Sequence, residues 1–541
     1  MKKFFISLVI QFLVAGTICF AQDNKAAFVQ AKFQNYASHT LQEKLFVHLD
    51  KSFFVTGETL WFKIYYVDGS FHKALDLSKV VYLEVLDDKN TPVLQTKVGL
   101  SGGKGNGSLN LPAGLITGNY TVRAYTNWMK NFSPDFFFRQ PVVIVNPLRY
   151  SEATTTTRSF AIDLQFFPEG GNLVADVKSK IAFRMAGNDD RGIECAGTIV
   201  DESNVVVTSF QSLKFGMGNF SFTPSRGKTY KAIARTADGV TVSKLLPAVY
   251  EQGFVMSVDG KDATTVTITV TVKMPAADQS GSLSLFVHTR QIRGIVRSAP
   301  VINGTAVFRI DKELLADGIS QFTLFNGEKP VCERLYFLKP KRKLQIAAVT
   351  DKQAYERRTK VNISIQATDQ EARPQLSNMS IAVFRTDSLQ ESGLKGIESY
   401  LLLSSDIRGH VESADYYFGK DPDTDEALDN VMLTHGWTRF RWEDILWNNR
   451  VPFAHQPEYA GHIITGKVVN PKTGVGESGV LTFLSLPGRK LRLYSDVSDE
   501  DGRIRFIVRD FFGHNEIIVQ PRIHDGNQHQ FVIDNPFSEK P

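Results

Sequence analysis

One pattern occurs twice in this chain, three hundred residues apart, and it limits the fold more than any other feature. Residues 50–65 read DKSFFVTGETLWFKIY, and residues 351–366 read DKQAYERRTKVNISIQ. Aligned without gaps, Asp351 and Lys352 match Asp50 and Lys51, and Tyr355 matches Phe54. Val361, Ile363 and Ile365 fall on Leu60, Phe62 and Ile64. The unit is a short strand carrying an aromatic, a tight turn, then a strand whose apolar residues recur every second position. Such a strand buries one face only. Gly57 suits a turn position with positive φ. Arg358 in the same place does not, so the second copy is expected to turn differently.

A second echo has a different pattern. GNGSLNLPAGLITGNYTVRAY at 105–125 is matched by GMGNFSFTPSRGKTYKAIAR at 216–235. Each has Gly-x-Gly, an alternating strand, a proline, a glycine turn and a tyrosine-bearing strand. A tyrosine at such a corner can cap a sandwich by bonding nearby backbone. The GKGNG stretch is read as a turn. It lacks the Gly-Lys-Ser/Thr ending of a phosphate loop and precedes a strand, not a helix.

Repeats on the scale of a domain, with short strands and frequent turns, predict a mainly β chain of tandem β-sandwiches. At about 100 residues each, roughly five fit. The boundaries follow composition: sandwiches over 41–147, 160–250, 254–340, 342–455 and 461–534. The Thr-rich linker SEATTTTRS separates the first two, and the basic linker KPKRK precedes the fourth. The last carries HIITGKVV, VLTFLSL, IRFIV and EIIVQ as strands, and Phe531 and Ile533 alternate as one more. Phe537 lies beyond Asn535-Pro536 with little chain to cover it, so this end is expected to join more polypeptide or a partner's β-edge.

A helical insert near 426–447 breaks the pattern. In EALDNVMLTHGWTRFRWEDILW, Leu428, Val431, Met432 and His435 have helical spacing and Gly436 is a stop. Trp437, Phe440 and Trp442 are read as core aromatics. The preceding GKDPDTDE at 419–426 reads as an exposed loop and the expected first site of proteolysis, with the linker at 154–157 as its rival. Its acid spacing is not that of a helix–loop–helix calcium site.

The first 21 residues fit a secretory signal: Lys2 and Lys3, an apolar run from Phe4 to Phe20, and cleavage after Ala21. Ile18 before Cys19 argues against a lipoprotein cysteine. No later stretch has the length and apolarity of a membrane-crossing helix. The chain's formal charge is +5, and cleavage removes two lysines to leave +3. That balance, with no strongly basic block, argues against nucleic acid. The two remaining cysteines, Cys195 and Cys332, fall in different expected domains and read as buried thiols.

No catalytic constellation emerges. HEXXH and GxSxG are absent. Ser392-x-x-Lys395 lacks the usual companion motifs of its class, and His48 and His410 are single residues on expected strands. The chain is therefore read as not an enzyme, with no catalytic residues, metal or cofactor.

LDKSFFVTGETLWFKIYYVDG with NYTVRAYTNWM resembles the second macroglobulin domain (MG2) of the α2-macroglobulin superfamily. FFPEGGNLV, ALDNVMLTHGW and GKVV…PG…SDEDGRIRF are similar to a bacterial envelope subfamily, and the tail to a carboxypeptidase regulatory, transthyretin-like sandwich. The resemblance implies immunoglobulin- or macroglobulin-like sandwiches and an exported protein at the periplasmic side of the outer membrane. It also implies a link to TonB-dependent receptors. Implied partners are cell-envelope proteins, an outer-membrane transporter or a protease among them. The thioester stretch of the classical inhibitors, Gly-Cys-Gly-Glu-Gln, is missing: Cys195 stands in GIECAGT and Cys332 in KPVCERL. Two readings follow. One is a non-enzymatic envelope protein that binds or scaffolds partners. The alternative is an endopeptidase inhibitor of α2-macroglobulin type without the thioester.

Overall fold

The computed structural model describes residues 25–149, 161–275, 281–385, 393–436, 440–447, 453–488, 491–513, 516–522 and 528–540. The signal-like leader, the Thr-rich linker, Ser392 and Trp437 lie outside them. The chain is mainly β, in many small sheets with few helices. The described residues fall into two compact units. One lies within Ala37–Arg158, Ala382–Leu401 and Trp447–Pro541, the other within Met1–Tyr36, Ser159–Ile381 and Leu402–Leu446.

In the first of these units, β1 (Glu43–Leu49), β3 (Thr59–Asp68) and β6 (Lys104–Asn110) form a sheet in the order β1-β3-β6. Facing it are β2 (Phe53–Val55), β4 (Val80–Leu86), β5 (Pro92–Gly99), β7 (Gly118–Tyr125) and β8 (Phe138–Val145), in the order β2-β8-β7-β4-β5. On β3 the expected alternation holds: Leu60, Phe62 and Ile64 are buried in the core while Trp61 is 60% exposed.

The other unit repeats this plan twice. β9 (Asp163–Pro168), β11 (Ser179–Ala186) and β14 (Met217–Phe222) run β9-β11-β14. β12 (Cys195–Asp201), β13 (Val206–Gln211), β15 (Tyr230–Thr236) and β16 (Thr241–Leu245) run β13-β12-β15-β16. Between β9 and β11, β10 (Leu173–Val174) pairs in parallel with β17 (Val249–Tyr250). Next, β18 (Gly253–Asp259), β19 (Thr265–Lys273) and β22 (Thr305–Asp311) run β18-β19-β22. β20 (Ser282–Thr289), β21 (Ile292–Pro300), β23 (Gly318–Asn326) and β24 (Lys329–Leu338) run β21-β20-β23-β24. Apart from β2, which the first alone adds to its larger sheet, the three sandwiches thus share one strand order, and each has its own apolar core.

Both sequence echoes are structural. Gly107 on β6 sits opposite Phe62 on β3, and Gly218 on β14 sits opposite Phe183 on β11. A Cβ on Gly107 would lie 2.7 Å from the Phe62 ring, and one on Gly218 would lie 2.9 Å from the Phe183 ring. The second glycine therefore stands inside a strand, making room for a cross-strand aromatic. Of the turn expected at GKGNG only the first glycine takes part: the turn is made by Gly102 and Gly103, both at positive φ, and the strand begins at Lys104. Both corner tyrosines bond backbone: Tyr120 Oη donates to the Ile116 carbonyl at 2.8 Å, and Tyr230 Oη accepts from the Ser225 amide at 2.8 Å.

The Asp-Lys copies match closely. β25 (Gln345–Thr350) pairs with β26 (Ile363–Thr368) so that Thr350 faces Ile363, as Leu49 faces Phe62. The Asp351 amide donates to the Asn362 carbonyl at 3.0 Å and the Asp50 amide to the Trp61 carbonyl at 3.1 Å. One expectation is corrected. Arg358 has φ +64°, close to the left-handed conformation of Gly57 at +89°, so the second copy makes the same turn despite its side chain. The turn is held by a backbone bond in both copies, Glu58 to Val55 and Thr359 to Glu356. Around Gly57 there is open space, so Gly57→Val costs backbone strain alone. A loss of about 1–3 kcal/mol is expected in thermal melts. Arg358→Gly should be neutral or stabilising by up to about 1 kcal/mol, since relief of strain is offset by unfolded-chain entropy.

The last sandwich is built of β27 (His462–Val469), β28 (Leu481–Leu486), β29 (Arg492–Val497), β30 (Arg503–Val508), β31 (Ile518–Pro521) and β32 (Gln530–Ile533). Its two sheets are β30-β27-β32 and β29-β28-β31. Phe537 is not left uncovered, contrary to expectation. It packs on the first sandwich, with its ring 5.3 Å from that of Tyr82. Arg123 donates to the Ser538 and Lys540 carbonyls at 3.2 and 2.6 Å, and Tyr125 Oη accepts from the Ser538 amide.

Among the described residues the longer α-helical segments are α1 over 25–39, α2 (Thr424–Thr434) and α3 (Trp442–Leu446). Trp442 is buried, as its core reading implies. Its ring meets those of Phe286 and Phe325, and its Nε1 donates to Thr323 Oγ1 at 3.0 Å. The expected loop at 419–426 is only partly a loop. Gly419–Asp423 are exposed, but Thr424, Asp425 and Glu426 already form the first turn of α2. His410 lies in a loop, not on a strand, whereas His48 is on β1. Among the described residues, no helix is long and apolar enough to cross a membrane.

Candidate functional site: a clamped helix beside an open cleft

The two sequence motifs most specific to this chain, FFPEGG and ALDNVMLTHGW, meet at one arginine. FFPEGG ends β9. Phe166 enters the aromatic core of the second sandwich against Phe183, Phe210 and Phe220. Gly170 then turns at φ +80°, where a Cβ would lie 3.0 Å from the Met256 Cβ, so only glycine fits without displacement. Between these, Glu169 is buried. Its Oε1 accepts from Arg334 Nε at 3.1 Å and from the Val258 amide at 3.2 Å.

Arg334 stands on β24 and is also buried. Its remaining nitrogens donate to the Leu335 carbonyl and to Asp429 Oδ1, both at 2.5 Å. Asp429 belongs to α2, and Lys180 of β11 reaches its other oxygen at 3.2 Å. Burial would raise the Asp429 carboxyl, but the charges of Arg334 and Lys180 outweigh it and hold it below the usual carboxylate range. One buried cation thus ties the second sandwich, the third sandwich and α2 together. A buried charge of this kind persists only when paired and hydrogen-bonded.

The helix that Arg334 holds is amphipathic for a local reason. Asp425 and Glu426 in its first turn complement the helix dipole. Ala427, Leu428, Val431 and Met432 are buried with Ile319, Leu335, Phe337 and Met217 from the two sandwiches. Asn219 Nδ2 donates to Asn430 Oδ1 at 2.8 Å and to Glu426 Oε1 at 3.1 Å. At the far end His435 is buried, and its Nε2 donates to the His410 carbonyl at 3.3 Å. Burial pushes its pKa down to about 4.

Beside the clamp lies an open cleft of about 730 Å³. Its walls carry Lys180, Lys261, Lys312 and Lys339 against Asp259, Asp425, Glu426 and Asp429. Lys339 pairs with Asp425 at 2.6 Å, and Lys312 donates to the Gly260 and Asp262 carbonyls at 2.8 and 2.6 Å. The Tyr336 ring also lines the cleft and stacks on Phe322 at 5.8 Å. Gly260 lets that ring lie flat, since a Cβ there would come within 2.4 Å of it. Burial pushes the Tyr336 hydroxyl up to about 12, so it serves as a donor and not as a base. Lys180 and Lys339 are fixed by Asp429 and Asp425, and Lys312 by backbone carbonyls, an arrangement suited to binding.

Sequence reading picked out both motifs but missed Arg334. The missed signal is parity: Arg334 shares a strand face with Cys332, an apolar position, and an inward charge requires a partner.

The other candidates are placed as follows. Cys195 and Cys332 are free and buried, with burial pushing their pKa values up to about 11 and about 12. Neither thiol should react with Ellman's reagent at pH 8 until the chain unfolds, and both should react in denaturant. Lys395 is buried, its Nζ donates to the Arg139 carbonyl at 3.0 Å, and burial pushes it down to about 8. Among the described residues, no three His, Cys, Asp or Glu side chains are grouped to hold a metal.

No family model matches the chain, and no curated protein matches it. Among solved structures it is similar to Escherichia coli alpha-2-macroglobulin activated by porcine elastase, at 11% identity and a TM-score of 0.22. That match covers 91% of this chain but 44% of the other, so the chain spans less than half its length. It is also similar to dimeric latent PorU from Porphyromonas gingivalis, at 10% identity over 54% of this chain and 33% of that one, TM-score 0.25. A third is a tetra-tandem repeat from the extending region of a large adhesion protein, at 11% identity over 91% and 98%, TM-score 0.16.

Proposed function

We propose that the chain is an exported, non-enzymatic protein of the cell envelope that binds and spaces other polypeptides, with the cleft beside α2 as its binding point. The observation that carries this reading is the junction itself. A Glu169–Arg334–Asp429 chain, buried at Glu169 and Arg334, fixes two sandwiches and a helix around an open, charge-balanced cleft. Rigid walls lower the ordering cost of binding. Four lysines facing four acids suit a polypeptide carrying both signs better than a phosphate or a nucleic acid. The signal-like leader, basic at Lys2 and Lys3 and then apolar, supports export. Association with an outer-membrane uptake system is a further part of the proposal and rests on the motif resemblance alone.

A photo-crosslinking residue in place of Lys261, at the cleft wall, tests this in cells of the native host. A control position is Lys244 on the exposed β16. One envelope protein captured from position 261 and not from 244 supports the reading. Identical products from both positions, or none from 261, would refute the cleft as the binding point.

A further inference from the structure

The second Asp-Lys copy is half of a sandwich sheet. In the three complete sandwiches, the strand equivalent to β3 has a neighbour on each side. Its repeat, β26, has only β25 as a strand neighbour among the described residues, and beyond that a single bridge from Thr368 to Pro374 at its end. The consequence shows in burial. Leu60, Phe62 and Ile64 are 0, 6 and 0% exposed, whereas the matched Val361, Ile363 and Ile365 are 44, 38 and 43% exposed. A lone two-stranded ladder is marginal in water, and an open edge beside apolar side chains is a template for another strand.

The open edge is also defined in its hydrogen bonding. The Asp351 amide bonds the Asn362 carbonyl, which points Asn362, Ser364 and Gln366 at β25. The Ala367 carbonyl accepts from Gln375 on the opposite side. Ile363 and Ile365 therefore aim their N–H and C=O groups outward. On β3 the matched Phe62 and Ile64 pair with Gly107 and Gly105 of β6, and the Tyr66 amide bonds the Gly103 carbonyl just before it.

Charge selects what can fill the place. The hairpin itself, residues 345–368, holds four Lys and Arg against two Asp and Glu, a net +2, and Lys341, Arg342 and Lys343 stand just before it. A second copy would bring the same positive charge to the edge and be repelled. We propose that β26 accepts an extended acidic segment of a partner polypeptide. It would add as an antiparallel strand in the position that β6 takes on β3, with alternate apolar side chains over Ile363 and Ile365. This surface is separate from the cleft and does not depend on it.

The test uses the mature full-length chain and two labelled peptides of about ten residues, the length of a strand. One alternates valine with glutamate, the other valine with lysine. Fluorescence anisotropy should show binding of the glutamate peptide alone, weakening as salt is raised. On binding, the Ile363 and Ile365 amides should become slow to exchange with deuterium, while Ser364 and Gln366, already bonded to β25, change little. Ile365→Pro removes an outward N–H without touching the ladder to β25. It should weaken binding about tenfold, the effect of one lost backbone bond. Charge reversal by Arg357→Glu with Lys360→Glu leaves the backbone intact and should reverse the preference between peptides, so the test survives if the proline variant misfolds. Equal binding of both peptides, binding of neither, or protection of Ile363 and Ile365 through self-association without peptide would overturn the proposal.

Discussion

Arg334→Ala is expected to lower the stability of its unit by about 3–5 kcal/mol, the cost of removing one partner from a buried ion pair. The reason is what stays behind. Glu169 and Arg334 are both about 2% exposed, so deletion of the guanidinium leaves the Glu169 carboxylate buried with the Val258 amide as its one remaining donor among the described residues. Asp429 is more accessible and keeps Lys180, so it accounts for less of the loss. Glu169→Gln should cost less than Arg334→Ala, because the amide oxygen can still accept from Arg334 Nε. Calorimetry of the full chain, which resolves separate transitions for separate units, checks both. A midpoint unchanged by Arg334→Ala would mean that the clamp does not hold α2.

The second large effect depends on pH. His435 is buried against the end of α2 and its pKa is pushed down to about 4, first by burial and then by the charge of Arg184, against the bond to the His410 carbonyl. In the unfolded chain the ring titrates near 6.5. Between these values the unfolded chain binds the extra proton, so stability falls as pH falls. The contribution is complete above about pH 6.5 and is lost by about pH 4, amounting to about 3 kcal/mol at 1.36 kcal/mol per pH unit. His435→Gln removes the titration. Denaturant midpoints at neutral and mildly acidic pH should therefore converge: the wild type loses more than the variant on acidification. Equal losses would show that water reaches the ring in the native state.

How much of this was legible follows from the kind of signal each element carries. Period-two alternation at Leu60, Phe62 and Ile64 marked a half-buried strand, and the Asp-Lys spacing marked its repeat down to the hydrogen bonds of Asp50 and Asp351. Gly107 and Gly218 were visible as a motif but not as strand positions. Their role is set by a phenylalanine on a neighbouring strand, a partner distant in sequence. Arg358 misled because propensity disfavours arginine at positive φ, while the paired strands on either side impose the turn. Phe537 misled for a related reason: the surface that covers it, around Tyr82 and Arg123, lies some four hundred residues earlier. The candidate site was half legible. Both motifs could be read, but the arginine that joins them carries no motif of its own.

The reading as a binding scaffold and not a protease trap has one direct measurement. The mature chain is incubated with a panel of endopeptidases, and each enzyme's activity is followed on a large protein substrate and on a small peptide substrate. The account predicts that both activities persist while the chain is nicked first at its exposed segments, Gly419–Asp423 among them. Loss of activity toward the large substrate with the small one still cleaved would contradict it, and would mark the chain as an inhibitor that encloses its protease.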